Sequence, residues 1–319
     1  QLVLSMYACF TLSPDGGATW YDVTPGDVAG RSIRVSGSCF LDGSMAWLLL
    51  NSTATQVSLY RTADGGGTWN MYNVPFINGR MQFLDSMQGY VFSLLGASAG
   101  ADAVAIFSTM DGGVTWTQVY TNLPGAEGTS DTLPYSGQKS GMTYVDPLHA
   151  WVTGSVPMAG ETFFYTSSDG GSTWNKQEFE LPPGFREAMT EIDPPVFFTP
   201  QVGLLPVRLL AEPPSFVFYT TLDGGTTWES TFPLNVSARY AASSLFDVFL
   251  WDGGEYIYVS HDSGETWDRL RTNVNLVMTL MDFEFVDANN GWALTGDTIS
   301  HHTFYRTVDG GATWTLLIP

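Results

Sequence analysis

Positive charge is what this sequence has least of. Its 319 residues carry 12 lysines and arginines against 32 aspartates and glutamates, a formal net charge of −20. Lys139 and Lys176 are its two lysines. Nucleic acid and anionic membranes demand a basic footprint, so this balance excludes both as partners. No apolar run approaches the roughly 20 residues of a spanning helix, and no transmembrane segment is expected. The residues after Gln1 offer neither a basic stretch nor a clear apolar core, so no signal peptide is expected within the chain. Cysteine is equally scarce. Cys9 and Cys39 are too few for a metal site without further ligands at short spacing; a bond between them and two buried thiols both stay open. Of the four histidines, His301-His302 falls in a loop and is expected to be solvent-exposed. No metal and no cofactor are expected.

What the chain does have is an eight-residue pattern, Ser/Thr-x-Asp-x-Gly-x-Thr-Trp, occurring seven times. The copies are anchored on Asp15, Asp64, Asp111, Asp169, Asp223, Asp262 and Asp309. Successive aspartates stand 49, 47, 58, 54, 39 and 47 residues apart, the length of a four-stranded propeller blade. The pattern makes physical sense as a hairpin. The carboxylate accepts nearby backbone N–H groups, glycine supplies positive φ, and Thr re-enters a strand while Trp packs into the seam between blades. Segments such as Phe216-Val217-Phe218-Tyr219 read as the preceding strand. A second repeat lies upstream, as in Gln82-Phe83-Leu84-Asp85 to Tyr90 and Phe285-Val286-Asp287 to Trp292; it marks inner strands A and B. The expectation is an all-β, seven-bladed propeller of four-stranded antiparallel blades, with the Asp-turn joining strands C and D. Approximate blades run 1–23, 24–76, 77–121, 122–180, 181–234, 235–271 and 272–319. The first has only Leu2-Val3-Leu4, Ala8-Cys9-Phe10-Thr11 and its Asp-turn, and is expected to be incomplete.

The eight-residue element resembles the Asp-box, or bacterial neuraminidase repeat, of sialidases, sortilin-type receptors and xyloglucan-degrading hydrolases. Together with the Phe-x-Asp…Gly-Trp element it is most similar to photosystem II stability/assembly factor proteins and their bacterial relatives. The resemblance covers nearly the whole chain. It implies the fold; one scaffold carries unrelated activities.

The seven aspartates are read as structural, each consumed by its own hairpin, and the motif tryptophans as core. Function is expected where the repeat is broken. Long D–A insertions occur at 122–141 and 181–195, and long B–C insertions at 96–102, 154–161 and 207–215; all should emerge on one face. Arg34, Arg80, Lys139 and Arg239 each precede the strand-A aspartate by five to eight residues, which sets them at the start of inner strands. With Tyr135 and Arg186 they are the candidate ligand-binding residues. A guanidinium fork suits a carboxylate, and sialidase resemblance implies such an arginine set, although Arg31-Ser32-Ile33-Arg34-Val35 lacks the proline of the sialidase segment. Glu187, Glu191 and Asp193, read as one inserted loop, are the weak catalytic candidates.

Three readings follow. The first is a non-catalytic, extracytoplasmic binding or scaffold propeller, a monomer, recognising a protein or carbohydrate ligand that can bear a carboxylate. The second is a glycoside hydrolase of sialidase or xyloglucanase type, needing paired carboxylates. The third is an assembly factor for a membrane protein complex.

Overall fold

The computed structural model describes residues 10–51, 57–98, 100–296 and 302–317. The expected strand Leu2–Leu4, Ala8-Cys9 and His301 lie outside them. Two compact units divide the chain: 1–157 with 163–177, and 158–162 with 178–319. No helix occurs among the described residues, as the repeat pattern requires.

In the first unit, β1 (Thr11–Leu12) pairs with β2 (Tyr21–Asp22). Two four-stranded antiparallel sheets and a third antiparallel set of four strands follow. One is β3 (Arg34–Phe40), β4 (Ala46–Asn51), β5 (Val57–Thr62) and β6 (Asn70–Asn73). The next is β7 (Arg80–Phe83), β8 (Gly89–Ser98), β9 (Ala101–Thr109) and β10 (Thr117–Thr121). The third is β11 (Gln138–Tyr144), β12 (Ala150–Ser155), β13 (Phe163–Ser167) and β14 (Asn175–Lys176).

The second unit repeats the plan. Its first sheet holds β15 (Met189–Ile192) and β16 (Val196–Phe197), both paired to β17 (Gly203–Leu210), then β18 (Ser215–Thr221) and β19 (Glu229–Ser230). The others are β20 (Arg239–Ala242), β21 (Val248–Trp251), β22 (Tyr256–Ser260), β23 (Asp268–Arg271), and β24 (Leu280–Phe285), β25 (Gly291–Gly296), β26 (His302–Thr307), β27 (Thr315–Leu317).

Within each unit, neighbouring sheets are joined by aromatic stacks that the two repeats place in register. Trp47 lies 3.7 Å from Phe83, Tyr90 3.6 Å from Tyr144 and Phe249 3.6 Å from Phe285, each pair near parallel. These rings belong to the upstream repeat, one from the end of strand A and one from the start of strand B. The motif tryptophans sit further out. Trp174 and Trp314 are buried, whereas Trp20, Trp69, Trp116, Trp228 and Trp267 are half-buried, so core position holds only in part.

The motif hairpins show why five positions repeat. At Asp223, one carboxylate oxygen accepts the Thr227 N–H at 2.9 Å and the Thr221 hydroxyl at 2.8 Å; the other accepts the Thr227 hydroxyl at 2.6 Å. The Thr221 oxygen in turn accepts the Gly225 N–H at 2.9 Å. The same set recurs at Asp15, Asp64, Asp111, Asp169 and Asp262. The residue after each Asp has positive φ, glycine at six copies and Ser263 (φ 67°) at the seventh. Its N–H reaches the A–B turn of its own sheet: Gly112 to Met87 O at 2.7 Å, Gly224 to Gln201 O at 2.9 Å, Ser263 to Phe246 O at 3.1 Å. The turn thus ties the two hairpins of a sheet together at one end.

Two expected loops, 96–102 and 207–215, are largely strand, whereas 154–161 is strand only at its first two residues. β8 and β9 run through 96–98 and 101–102, β12 reaches Ser155, and β17 and β18 occupy 207–210 and 215. The insertions lengthen antiparallel hairpins, because once two strands are paired each added residue brings further ladder bonds. Likewise the expected loop 181–195 contains β15, and 122–141 contains the start of β11.

Candidate functional site

Strand order puts the A–B and C–D turns at one end of each sheet and the B–C and D–A connections at the other. Arg34 is the first residue of β3, Arg80 of β7 and Arg239 of β20, while Lys139 is second in β11. All four therefore stand at the B–C/D–A end of their sheets. In the first unit three of these strands are neighbours: Gly79 N–H donates to Ser36 O at 3.4 Å, and the Gln82 side chain bonds both the N–H and the carbonyl of Tyr144 at 2.7 and 2.8 Å.

Their electrostatic situations differ. Arg34 and Arg80 are exposed and have no ion-pair partner among the described residues. Lys139 is occupied: its ammonium donates to the carbonyls of Tyr135, Ser136 and Gly137 at 2.8, 3.0 and 2.8 Å and lies 5.0 Å from the Phe163 ring. Burial pushes it down to about 8, and the nearby Asp102 opposes that shift. Three bonds to carbonyls make it a clasp on the 122–137 segment rather than an open cation. Tyr135 is 40 % exposed, with its hydroxyl 3.5 Å from that of Ser98. In the second unit Arg239 is exposed and close enough to Asp282 to oppose the rise that desolvation gives its carboxyl.

The acidic candidates do not act as one loop. Glu191 is on β15 opposite Arg208, and Asp193 is ion-paired to Arg208 at 2.7 Å, with that guanidinium 5.3 Å from the Phe216 ring. Arg186 and Glu187 are exposed in the turn before β15. A different acid pair, missed from sequence, stands on β24. Asp282 and Glu284, both exposed, share one face of an inner strand and alternate with the buried Phe283 and Phe285. Both side chains reach solvent, and partial desolvation at their inner ends raises both carboxyls; Asp282 raises Glu284 further, and Arg239 partly offsets the shift at Asp282. The alternation Phe283/Phe285 against Asp282/Glu284 was the available signal. Among the described residues no three His, Cys, Asp or Glu side chains gather as metal ligands would. Cys39 is a free thiol, half-buried in β3, and burial pushes it up. His302 opens β26 half-buried rather than exposed, and its Nδ1 has no partner.

The Asp-turns make two tests available. Hydrogen bonds from Thr19 and Thr227 hold Asp15 and Asp223 at about 2, below the ordinary 3.8. A carboxyl depressed in the folded state stabilises it above its unfolded value and loses that effect as pH falls through the folded one. Thermal melts should therefore be flat down to about pH 4 and drop steeply between about pH 4 and 2; a flat melting temperature through that window contradicts the account. Asp223→Ala should cost about 1–2 kcal/mol, the low end for lost hydrogen bonds because water reaches the turn, and leave ligand affinity unchanged. Lost binding at an unchanged melting temperature would contradict a structural turn.

No family model matches the chain, and no curated protein does. Solved structures do. A structure of YCF48 bound to a D1 peptide is 16% identical, with a TM-score of 0.62 over 96% of this chain and 87% of that one. YCF48 from Cyanidioschyzon merolae is 17% identical, with a TM-score of 0.55 over 97% of this chain and 88% of that one. A GH74 xyloglucanase from Xanthomonas campestris is 12% identical, with a TM-score of 0.56 over 89% of this chain and 47% of that one. At such identities the likeness shows the fold alone, and that fold is an all-β propeller built of four-stranded antiparallel blades.

Proposed function

We propose that the chain is a non-catalytic, seven-bladed propeller that binds a protein partner bearing a carboxylate at the B–C/D–A end of its blades. The count of seven adds β1–β2, read as the outer half of a first blade, to three antiparallel strand sets in each unit, two of which lie in one nine-stranded sheet. The motif hairpins serve it as Asp-boxes between strands C and D. A monomer acting outside the cytoplasm fits the scarcity of lysine.

The observation that carries the binding reading is the pair Arg34 and Arg80. Among the described residues neither guanidinium has an ion-pair partner, in a chain of net charge −20, and the two begin the inner strands of neighbouring sheets, where they favour an anionic guest. Exposed Ile77, Leu94 and Leu95 belong to the same end of their sheet, giving apolar contact beside the charge. YCF48 bound to a D1 peptide is a propeller seen with a peptide ligand, which supports a protein partner over a glycan. Against hydrolysis at the predicted acids stands the Asp193–Arg208 ion pair, which leaves that carboxylate committed.

Asp282 and Glu284 favour a second reading, a glycoside hydrolase, since a carboxyl raised by partial desolvation and by a neighbouring acid suits a general acid. A fluorogenic glycoside panel run beside an array of peptides with free C-terminal carboxylates decides between them. The binding reading expects peptide capture and no turnover; turnover abolished by Glu284→Gln would replace it with the hydrolase.

A further inference from the structure

The hairpin of β8 and β9 is longer than its surroundings, and this leaves one strand edge bare. β7 pairs with β8 only from Phe83↔Gly89 to Arg80↔Phe92. Beyond that point the chain before Arg80 peels away, and the Asn78 side chain takes its place. Its amide accepts the Leu94 N–H and donates to the Leu94 carbonyl, both at 3.0 Å, as the next backbone partner would. After Leu94 the substitution ends. β8 continues through Leu95, Gly96, Ala97 and Ser98, paired on one side with Ala101–Ala103. On the other side, among the described residues, no backbone group pairs with it. All of Leu94–Ser98 is exposed, and a bulge between Leu94 and Gly96 turns Leu95 out of the ladder.

Natural edges are blunted with charge, proline, cover or a bulge, because unpaired N–H and C=O groups template another strand; here the bulge at Leu95 is present, and Gly96–Ser98 run on in register beyond it. This stretch, Leu-Gly-Ala-Ser after Leu94, has no charge and no proline. Cationic groups flank it instead. Arg80 begins β7, and Arg34 lies two residues from Ser36, whose carbonyl accepts the Gly79 N–H. Exposed Ile77 is fixed nearby, its carbonyl accepting the Asn51 side-chain amide at 3.2 Å. Open ladder groups, apolar contacts and guanidinium groups without ion-pair partners among the described residues together fit one occupant, an extended peptide with apolar side chains and acidic groups at one end.

We propose that Leu95–Ser98 of β8 is a β-augmentation site, where such a peptide adds as a further strand with its acidic end toward Arg34 and Arg80. This rests on the protein-binding reading above and supplies its mode: main-chain bonds give affinity, and the arginines fix orientation.

The probe is a short synthetic peptide alternating Val and Thr with two Glu residues at one end, and its twin carrying Gln in place of Glu. Binding is followed by fluorescence anisotropy, and backbone pairing by hydrogen–deuterium exchange of the full chain. The expected result is slowed exchange at Leu95–Ser98 on binding. Leu95→Glu, at an exposed position and with an unchanged melting temperature, should weaken binding at least roughly tenfold. Protection by both twins alike upholds the edge while overturning the carboxylate reading. Binding that Arg80→Ala weakens without protection at Leu95–Ser98 overturns the edge and leaves the carboxylate reading standing. Absence of binding by either peptide, or protection of this segment by an oligosaccharide instead, overturns the proposal.

Discussion

Trp47→Ala should lower stability by about 3–5 kcal/mol, the range for removing a large buried aromatic side chain. Trp47 has no exposed surface and stacks on Phe83 at 3.7 Å. Its indole N–H also donates to Gly112 O at 2.9 Å, inside the Asp-turn of the neighbouring sheet. One substitution therefore opens a cavity, removes a ring stack and orphans a carbonyl that the second sheet's turn needs buried. The expected readout is a shift of the denaturation midpoint larger than that of any Asp-turn variant. A smaller loss for Trp47→Ala than for Asp223→Ala would contradict the view that sheet-to-sheet ring stacking holds the unit together and that the turns only finish each sheet.

Arg34→Ala and Arg80→Ala should each weaken binding of a carboxylate-bearing peptide by about 1.5–3 kcal/mol, the scale of a hydrogen bond to a charged group. Both side chains are exposed, so neither change should move the melting temperature by much. Raised salt should mimic both variants, since exposed charges are screened within about 8 Å at physiological ionic strength. Lys139→Met offers the contrast. That ammonium is committed to three carbonyls, so its loss should loosen the 122–137 segment and lower stability while leaving the charge-dependent part of peptide affinity in place.

The blade unit was legible because every motif position has a local task. Asp223, Thr227 and Thr221 bond to one another within six residues, so spacing alone predicts the hairpin. What sequence misread depends on partners far along the chain. Asp193 looked like a member of an acid cluster; its partner Arg208 lies 15 residues away, in a strand that only the fold brings opposite. Gly96 and Ala97 have weak strand preference and read as the start of a loop, yet pairing with β9 makes them strand. Lys139 was grouped with the arginines because spacing fixes height along a strand and says nothing of where a side chain points. Asp282 and Glu284 alternate with Phe283 and Phe285 in the regular part of an inner strand, outside every insertion, so the breaks in the repeat do not point to them.

The most direct test of the account is the affinity of one acidic peptide, measured in free-acid and amide form, for the native chain and for the Arg34→Ala/Arg80→Ala variant. The account predicts that the free acid binds the native chain more tightly than the amide and that this preference vanishes in the variant. Equal affinities of the two forms for the native chain, or a preference that survives removal of both arginines, would contradict it.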